Sequence, residues 1–114
     1  MPLSSSLKQS VMNLLETYCR DKVPPHVADK LRLGYQLEGT LVTLFEERPP
    51  WQGFGPWTRT PVARFRYNLS RGLWTLYWLD RNSKWHRYPQ KGPTKTLPPL
   101  IREVDKDPIG IFWG

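Results

Sequence analysis

Two adjacent prolines, Pro24 and Pro25, divide the hydrophobic pattern of this chain into two regimes. Ahead of them, Leu7, Val11, Leu14, Leu15, Tyr18 and Cys19 recur at helical spacing and form one apolar stripe, with Lys8, Gln9, Asn13, Glu16 and Arg20 off it. Ser4-Ser5-Ser6 supplies an N-cap. The residue before a proline is pushed out of the α region. The spacing therefore predicts a helix over residues 6–20, with Pro25 opening a short turn through Asp29. Beyond the prolines the period falls to two: Leu31, Leu33, Tyr35 and Leu37 alternate with Arg32, Gly34, Gln36 and Glu38. That is a half-buried strand. Gly39-Thr40 can turn it tightly into Leu41–Glu47, giving a hairpin over 30–47.

The remainder reads as a continuation of this sheet. Residues 48–61, rich in proline and aromatics, form an irregular loop, and its Trp51, Phe54 and Trp57 are expected to pack on the body, where rings are stabilised by burial. Val62–Asn68 and Leu73–Asp80 make the next pair, and Asn82-Ser83 turns the chain into Lys84–Tyr88, giving a meander over 62–88. Residues 89–96 are a linker. Leu97, Leu100, Ile101 and Val104 are spaced for a short helix that Pro108 stops, and Ile109–Trp113 is an apolar tail, an edge strand or a segment packed on the core. The predicted fold is α+β: an N-terminal helix, an antiparallel meander of about five strands, a short C-terminal helix and the tail. All 114 residues fit one domain with a single core.

Several function classes lose support at once. The single cysteine, Cys19, forms no internal disulfide, which suits a reducing compartment. The N-terminus lacks a basic segment followed by an apolar one, and no apolar run approaches membrane-spanning length. A cytoplasmic protein without a membrane partner is expected. Cys19 lies on the helical stripe as a small hydrophobe, and with His26 it is too little for zinc. Gly53-Phe54-Gly55 sits among tryptophans and prolines instead of between a strand and a helix, so it is no phosphate loop. No metal and no cofactor are expected.

The charge is +7 and unevenly placed. Between Thr58 and Lys95 nine basic residues face one acid, Asp80, and aromatics are interleaved with them. One-sided basicity of this kind suits a nucleic acid. A two-residue turn at Asn82-Ser83 sets Asp80 opposite Trp85 and Trp78 opposite Arg87. A three-residue loop at Leu69–Arg71 sets Tyr67 near Leu73 and Arg66 near Trp74. One face then carries Arg64, Arg66, Trp74, Leu76, Trp78, Trp85 and Arg87. The other carries Ala63, Phe65, Tyr67, Leu73, Thr75, Tyr77, Leu79, His86 and Tyr88. The first face predicts a non-catalytic module for single-stranded RNA or DNA. Arg64, Arg66, Arg81, Lys84 and Arg87 would meet phosphates, and Trp74, Trp78 and Trp85 would stack on bases. The same face is also readable as tryptophan core with arginines at its rim. Two alternatives stand beside the nucleic-acid reading. A small metal-independent ribonuclease of the toxin kind would use His86, Tyr88 and Arg87. A protein-interaction or homo-oligomerisation module, a homodimer among the possibilities, would bury the aromatic face and the tail in a partner.

From Cys19 to Gly114, the stretches "CRDKVPPHVADKLRLGYQLEG", "VTLFEERPPW", "GPWTRTPVARFRY", "GLWTLYWLDRNSKWHRY" and "DPIGIFWG" form, in order and spacing, a set. The set resembles a family of small bacterial proteins catalogued as a domain of unknown function, family 3024. The resemblance implies a stand-alone bacterial cytoplasmic domain and carries no catalytic residues. The resemblance leads one to expect glycine where Ser83 stands and an acidic residue where Gly34 stands.

Overall fold

The computed structural model describes residues 2–113. Helix α1 spans Ser5–Lys22, two residues longer than its apolar stripe predicts at the C-terminal end. Ser4 caps it: its backbone is extended and its hydroxyl oxygen accepts the Leu7 N–H at 3.3 Å. Val23 leaves the helix in an extended conformation, as a residue ahead of proline must. One 3-10 turn, Pro25–Val27, leads to five strands: β1 (Arg32–Glu38), β2 (Leu41–Arg48), β3 (Thr58–Asn68), β4 (Leu73–Leu79) and β5 (Trp85–Arg87). They form one antiparallel sheet in chain order, followed by α2 (Pro98–Lys106). The α+β meander with a helix at each end is as the sequence predicts. No described helix is long and apolar enough to cross a membrane.

Two turns differ from expectation, and both act on the register. Asn68 pairs with Leu73, so the loop between β3 and β4 has four residues, Leu69–Gly72. The Asn68 side-chain oxygen accepts the Ser70 and Arg71 N–H groups, and its carbonyl accepts that of Gly72, which sits in the left-handed region at φ +64°. Those three bonds hold Gly72 inside the loop and leave Asn68 in the strand. At the next turn Leu79 pairs with Trp85, Trp78 with His86 and Tyr77 with Arg87, so the two-residue turn at Asn82-Ser83 does not form. Asp80 organises a longer one. Its carboxylate accepts the Asn82 and Lys84 N–H groups, and Ser83 takes a left-handed φ of +62°. Glycine is the residue for which such a φ costs least. A bulge between β2 and β3 places Leu44 opposite Ala63 and Phe45 opposite Pro61. Val62 is the extra residue, and it is buried beside Ala63.

The helices cover one face of the sheet. Val11, Leu15 and Cys19 of α1 and Leu100, Ile101 and Val104 of α2 pack on Val42, Leu44, Phe65, Trp74 and Leu76. Full burial of each large side chain stabilises the fold by roughly 1.5–3 kcal/mol. The helices are tied across the core by Asp105 of α2, whose carboxylate accepts both the Tyr18 hydroxyl at 2.9 Å and the Lys22 ammonium at 2.8 Å. The tail is a capped turn and not a strand. Asp107 is left-handed, and its carboxylate accepts the N–H groups of Ile111, Phe112 and Trp113, which seats Phe112 in the core.

The loop between β2 and β3 corrects a further expectation. Trp51 is 91% exposed and Phe54 77% exposed. The loop closes on itself through Gly53 N–H and the Pro50 carbonyl, with Gly53 and Gly55 left-handed, and both rings stand outside it. Only Trp57, in line with β3, reaches the body, where the Arg32 guanidinium lies 3.8 Å from its ring centroid.

Candidate nucleic-acid interface

Strand pleating and the observed registers place Gly34, Thr43 and Phe45, Arg59 and Pro61, Arg64 and Arg66, Thr75 and Tyr77, and Trp85 and Arg87 on the face that no helix covers. Arg32 and Glu47 are paired on this same face. Five arginines therefore share one side of the sheet, accompanied by Glu38 and Glu47 as its strand-borne acids.

Three of the five arginines rest on aromatic rings. Arg32 lies over Trp57, Arg59 lies 3.9 Å from the Phe45 centroid and Arg64 lies 4.3 Å from that of Trp85. Each contact is worth about 0.5–1 kcal/mol where solvent reaches it. Its larger effect is orientation, because the ring beneath limits where the guanidinium can lie. Arg64 is fixed further by donating Nε–H to the Thr43 hydroxyl at 3.1 Å. Arg59 also lies 3.7 Å from Glu47. Arg66 and Arg87 are exposed and, among the described residues, have no acidic partner.

Phe45 explains how a ring can be buried on an open face. A Cβ built on Gly34 would come within 2.7 Å of the Phe45 ring, so the ring lies directly on the glycine backbone, with Arg59 above it. An acidic residue at position 34 would require that ring to move.

The sequence-predicted residues separate into three groups. Arg64, Arg66, Trp85 and Arg87 do share the open face. Trp74 and Trp78 do not: the register at β3–β4 is one residue from the expected one, which turns both to the helix side. Trp74 is 1% exposed and tilts against Tyr67 at 4.9 Å, and Trp78 stacks on His86 at 4.8 Å. Neither ring is available to bases on the open face. Arg81 and Lys84 lie exposed in the β4–β5 loop, at the end of the sheet where the Trp51 loop also lies. Arg32 and Arg59 were not anticipated. The alternation that places Arg32 with Gly34 and Gln36 was legible in the first hairpin. The placement of Arg59 passes through the bulge at Val62, which no pattern announces.

The three residues of the ribonuclease reading are not gathered. His86 Nε2 lies 2.6 Å from Asp80 Oδ2 on the helix side of the sheet. That contact, with the backbone donors of Lys84 and Asn82, holds the Asp80 carboxyl below the ordinary carboxylate range. Tyr88 is buried, and its hydroxyl donates to Glu103 at 2.7 Å; burial first and that carboxylate second push its pKa upward. Arg87 points to the opposite face. Cys19 is buried, which pushes its thiol up to about 11 and leaves it unreactive.

Fold and site together define a small α+β domain whose five-stranded sheet has one helix-covered face and one open face lined by arginines resting on rings. The chain belongs to the family described as Domain of unknown function (DUF3024), whose model matches residues 3–114. No curated protein and no solved structure matches it.

Proposed function

We propose that this protein is a non-catalytic module that binds single-stranded nucleic acid on the open sheet face. The observation that carries the reading is the gathering of Arg32, Arg59, Arg64, Arg66 and Arg87 on one uncovered surface, three of them braced on rings. Arg66 and Arg87 face water unpaired among the described residues, as phosphate-binding groups do before their ligand arrives. Base contact is assigned to the guanidinium planes and to Tyr77, in place of Trp74 and Trp78, with Trp85 bracing Arg64 from beneath. Arginine planes stack on unpaired bases as aromatic rings do. The setting implied is a bacterial cytoplasm, where single strands of RNA are abundant.

The test is a titration with a short single-stranded oligonucleotide, RNA and DNA in turn, at low and moderate salt, read by anisotropy of a labelled strand. Binding should weaken steeply with salt, with a slope near −0.7 per phosphate contacted. Absence of binding at low salt would overturn the proposal.

A further inference from the structure

The sheet has two edges, and they are treated differently. Edge strand β5 has three residues and is followed by Pro89, a common way of ending pairing. Edge strand β1 has seven residues, no proline and an unbroken register against β2. A long, regular, unpaired edge is a template for another strand.

The direction of its free backbone groups follows from the sheet itself. The Thr40 carbonyl accepts the Tyr67 N–H, so Thr40, Val42 and Leu44 turn their backbone groups toward β3. Leu41, Thr43 and Phe45 then bond to their β1 partners Glu38, Gln36 and Gly34. This leaves the N–H and C=O groups of Leu33, Tyr35 and Leu37 pointing outward, with no strand among the described residues to receive them.

We infer that β1 pairs with β1 of a second copy of this chain, antiparallel and centred on Tyr35. Only an arrangement that sets outward-facing residues against one another satisfies these groups. Centring on Tyr35 pairs Leu33 with the other copy's Leu37 and gives full overlap of the strands. The same register sets Arg32 opposite the other copy's Glu38 at both ends, on the open face, where both side chains are exposed. Shifting the centre to Gly34 or Gln36 keeps the hydrogen-bond pattern, loses both ion pairs and shortens the overlap. Leu against Leu lies on the helix side, beside an apolar groove of about 480 Å³ between β1 and α1, lined by Cys19, Val23, Leu31 and Leu33. The two-fold axis stands perpendicular to the sheet. The product is one ten-stranded sheet with the arginine faces of both copies on the same side. The pairing itself stands independently of the nucleic-acid reading.

Sedimentation of the free protein at tens of micromolar, without nucleic acid, tests this. The wild-type chain should be a dimer; a monomer overturns the inference. Glu38→Arg sets arginine against arginine, and Arg32→Glu sets glutamate against glutamate, at both ends of the interface. Each alone should dissociate about tenfold more readily or worse. Mixing the two variants restores Arg–Glu at both ends and should restore the dimer as a heterodimer. If both variants dimerise as the parent does, the interface lies elsewhere and the inference is wrong. The mixing step separates loss of pairing from loss of folding, since misfolded chains would not be rescued.

Discussion

Alternate residues of the same five strands build two surfaces of opposite character. On the helix side, Phe65, Trp74 and Leu76 are packed to exclusion of water, and polar atoms there are held by single defined partners, such as the Tyr88 hydroxyl on Glu103. On the open side no helix supplies apolar cover. Rings there are covered by guanidinium groups instead: Trp57 by Arg32, Phe45 by Arg59, Trp85 by Arg64. The contrast teaches that tryptophan content does not reveal which face of a sheet is core. What distinguishes the faces is the company of each ring, aliphatic side chains on one and arginine on the other. The first surface is built for stability, and the second keeps its charge available.

Substitution on the two faces should separate these roles. Trp74→Ala removes a fully buried ring and should lower unfolding free energy by about 3–5 kcal/mol. Trp85→Ala, half-buried under Arg64, should cost less than about half of that. Urea denaturation of the two variants side by side reads the difference; equal losses would erase the distinction between the faces.

Charge reversal sharpens it from the other side. Arg66→Glu with Arg87→Glu should abolish oligonucleotide binding at moderate salt, while the urea midpoint moves by no more than about 0.5 kcal/mol equivalent. A large stability loss in that variant would mean that these arginines serve the fold.

Acid acts on the covered side. The Lys22 ammonium, with the Tyr18 hydroxyl, holds the Asp105 carboxyl below its ordinary value of 3.8. A lowered folded-state pKa means that the bond's stabilisation is complete above the unfolded value and is lost as pH falls through the folded one. Thermal stability should therefore decline below about pH 4. Asp105→Asn should reduce stability at neutral pH and flatten that decline. An unchanged acid limb in the variant would show that the contact between α1 and α2 does not depend on this charge.

The smallest effect is expected in the β4–β5 loop, which belongs to neither face. Ser83 holds a left-handed φ of +62° in an exposed position. Ser83→Gly should raise unfolding free energy by about 0.5–1 kcal/mol, read in the same urea series, with no change in binding. A loss would mean that the serine hydroxyl supports the turn.

Much of the fold was legible because it depends on local chemistry. The helical stripe from Leu7 to Cys19, the serine cap and the prolines at 24 and 25 fix α1 within two residues. The alternation after Leu31 and the Gly39-Thr40 turn fix the first hairpin with its register. The site was half legible. Arg64, Arg66, Trp85 and Arg87 were correctly placed together, whereas Trp74 and Trp78 were assigned to the wrong face by one residue of loop length. Leu69–Gly72 can close as three or four residues with the same composition. The choice rests on Asn68 folding its side chain over the loop, a set of hydrogen bonds with no periodic signature. Trp51 and Phe54 were expected to pack and stand outside, because hydrophobicity states a preference but not whether a surface is within reach.

The sequence by itself determined the element order, the class α+β, the concentration of positive charge between Thr58 and Lys95 and the helical cap and breakers. These are properties of neighbouring residues, carried by propensity, period and composition. Only the tertiary structure decided which side of the sheet each residue faces, that Arg32 and Arg59 join the basic surface from distant strands, and that β1 keeps a free edge. The physical reason is that side-chain direction in a sheet reverses with every residue. A single bulge at Val62 and a single extra loop residue at Gly72 therefore carry as much weight as all the hydrophobic alternation between them.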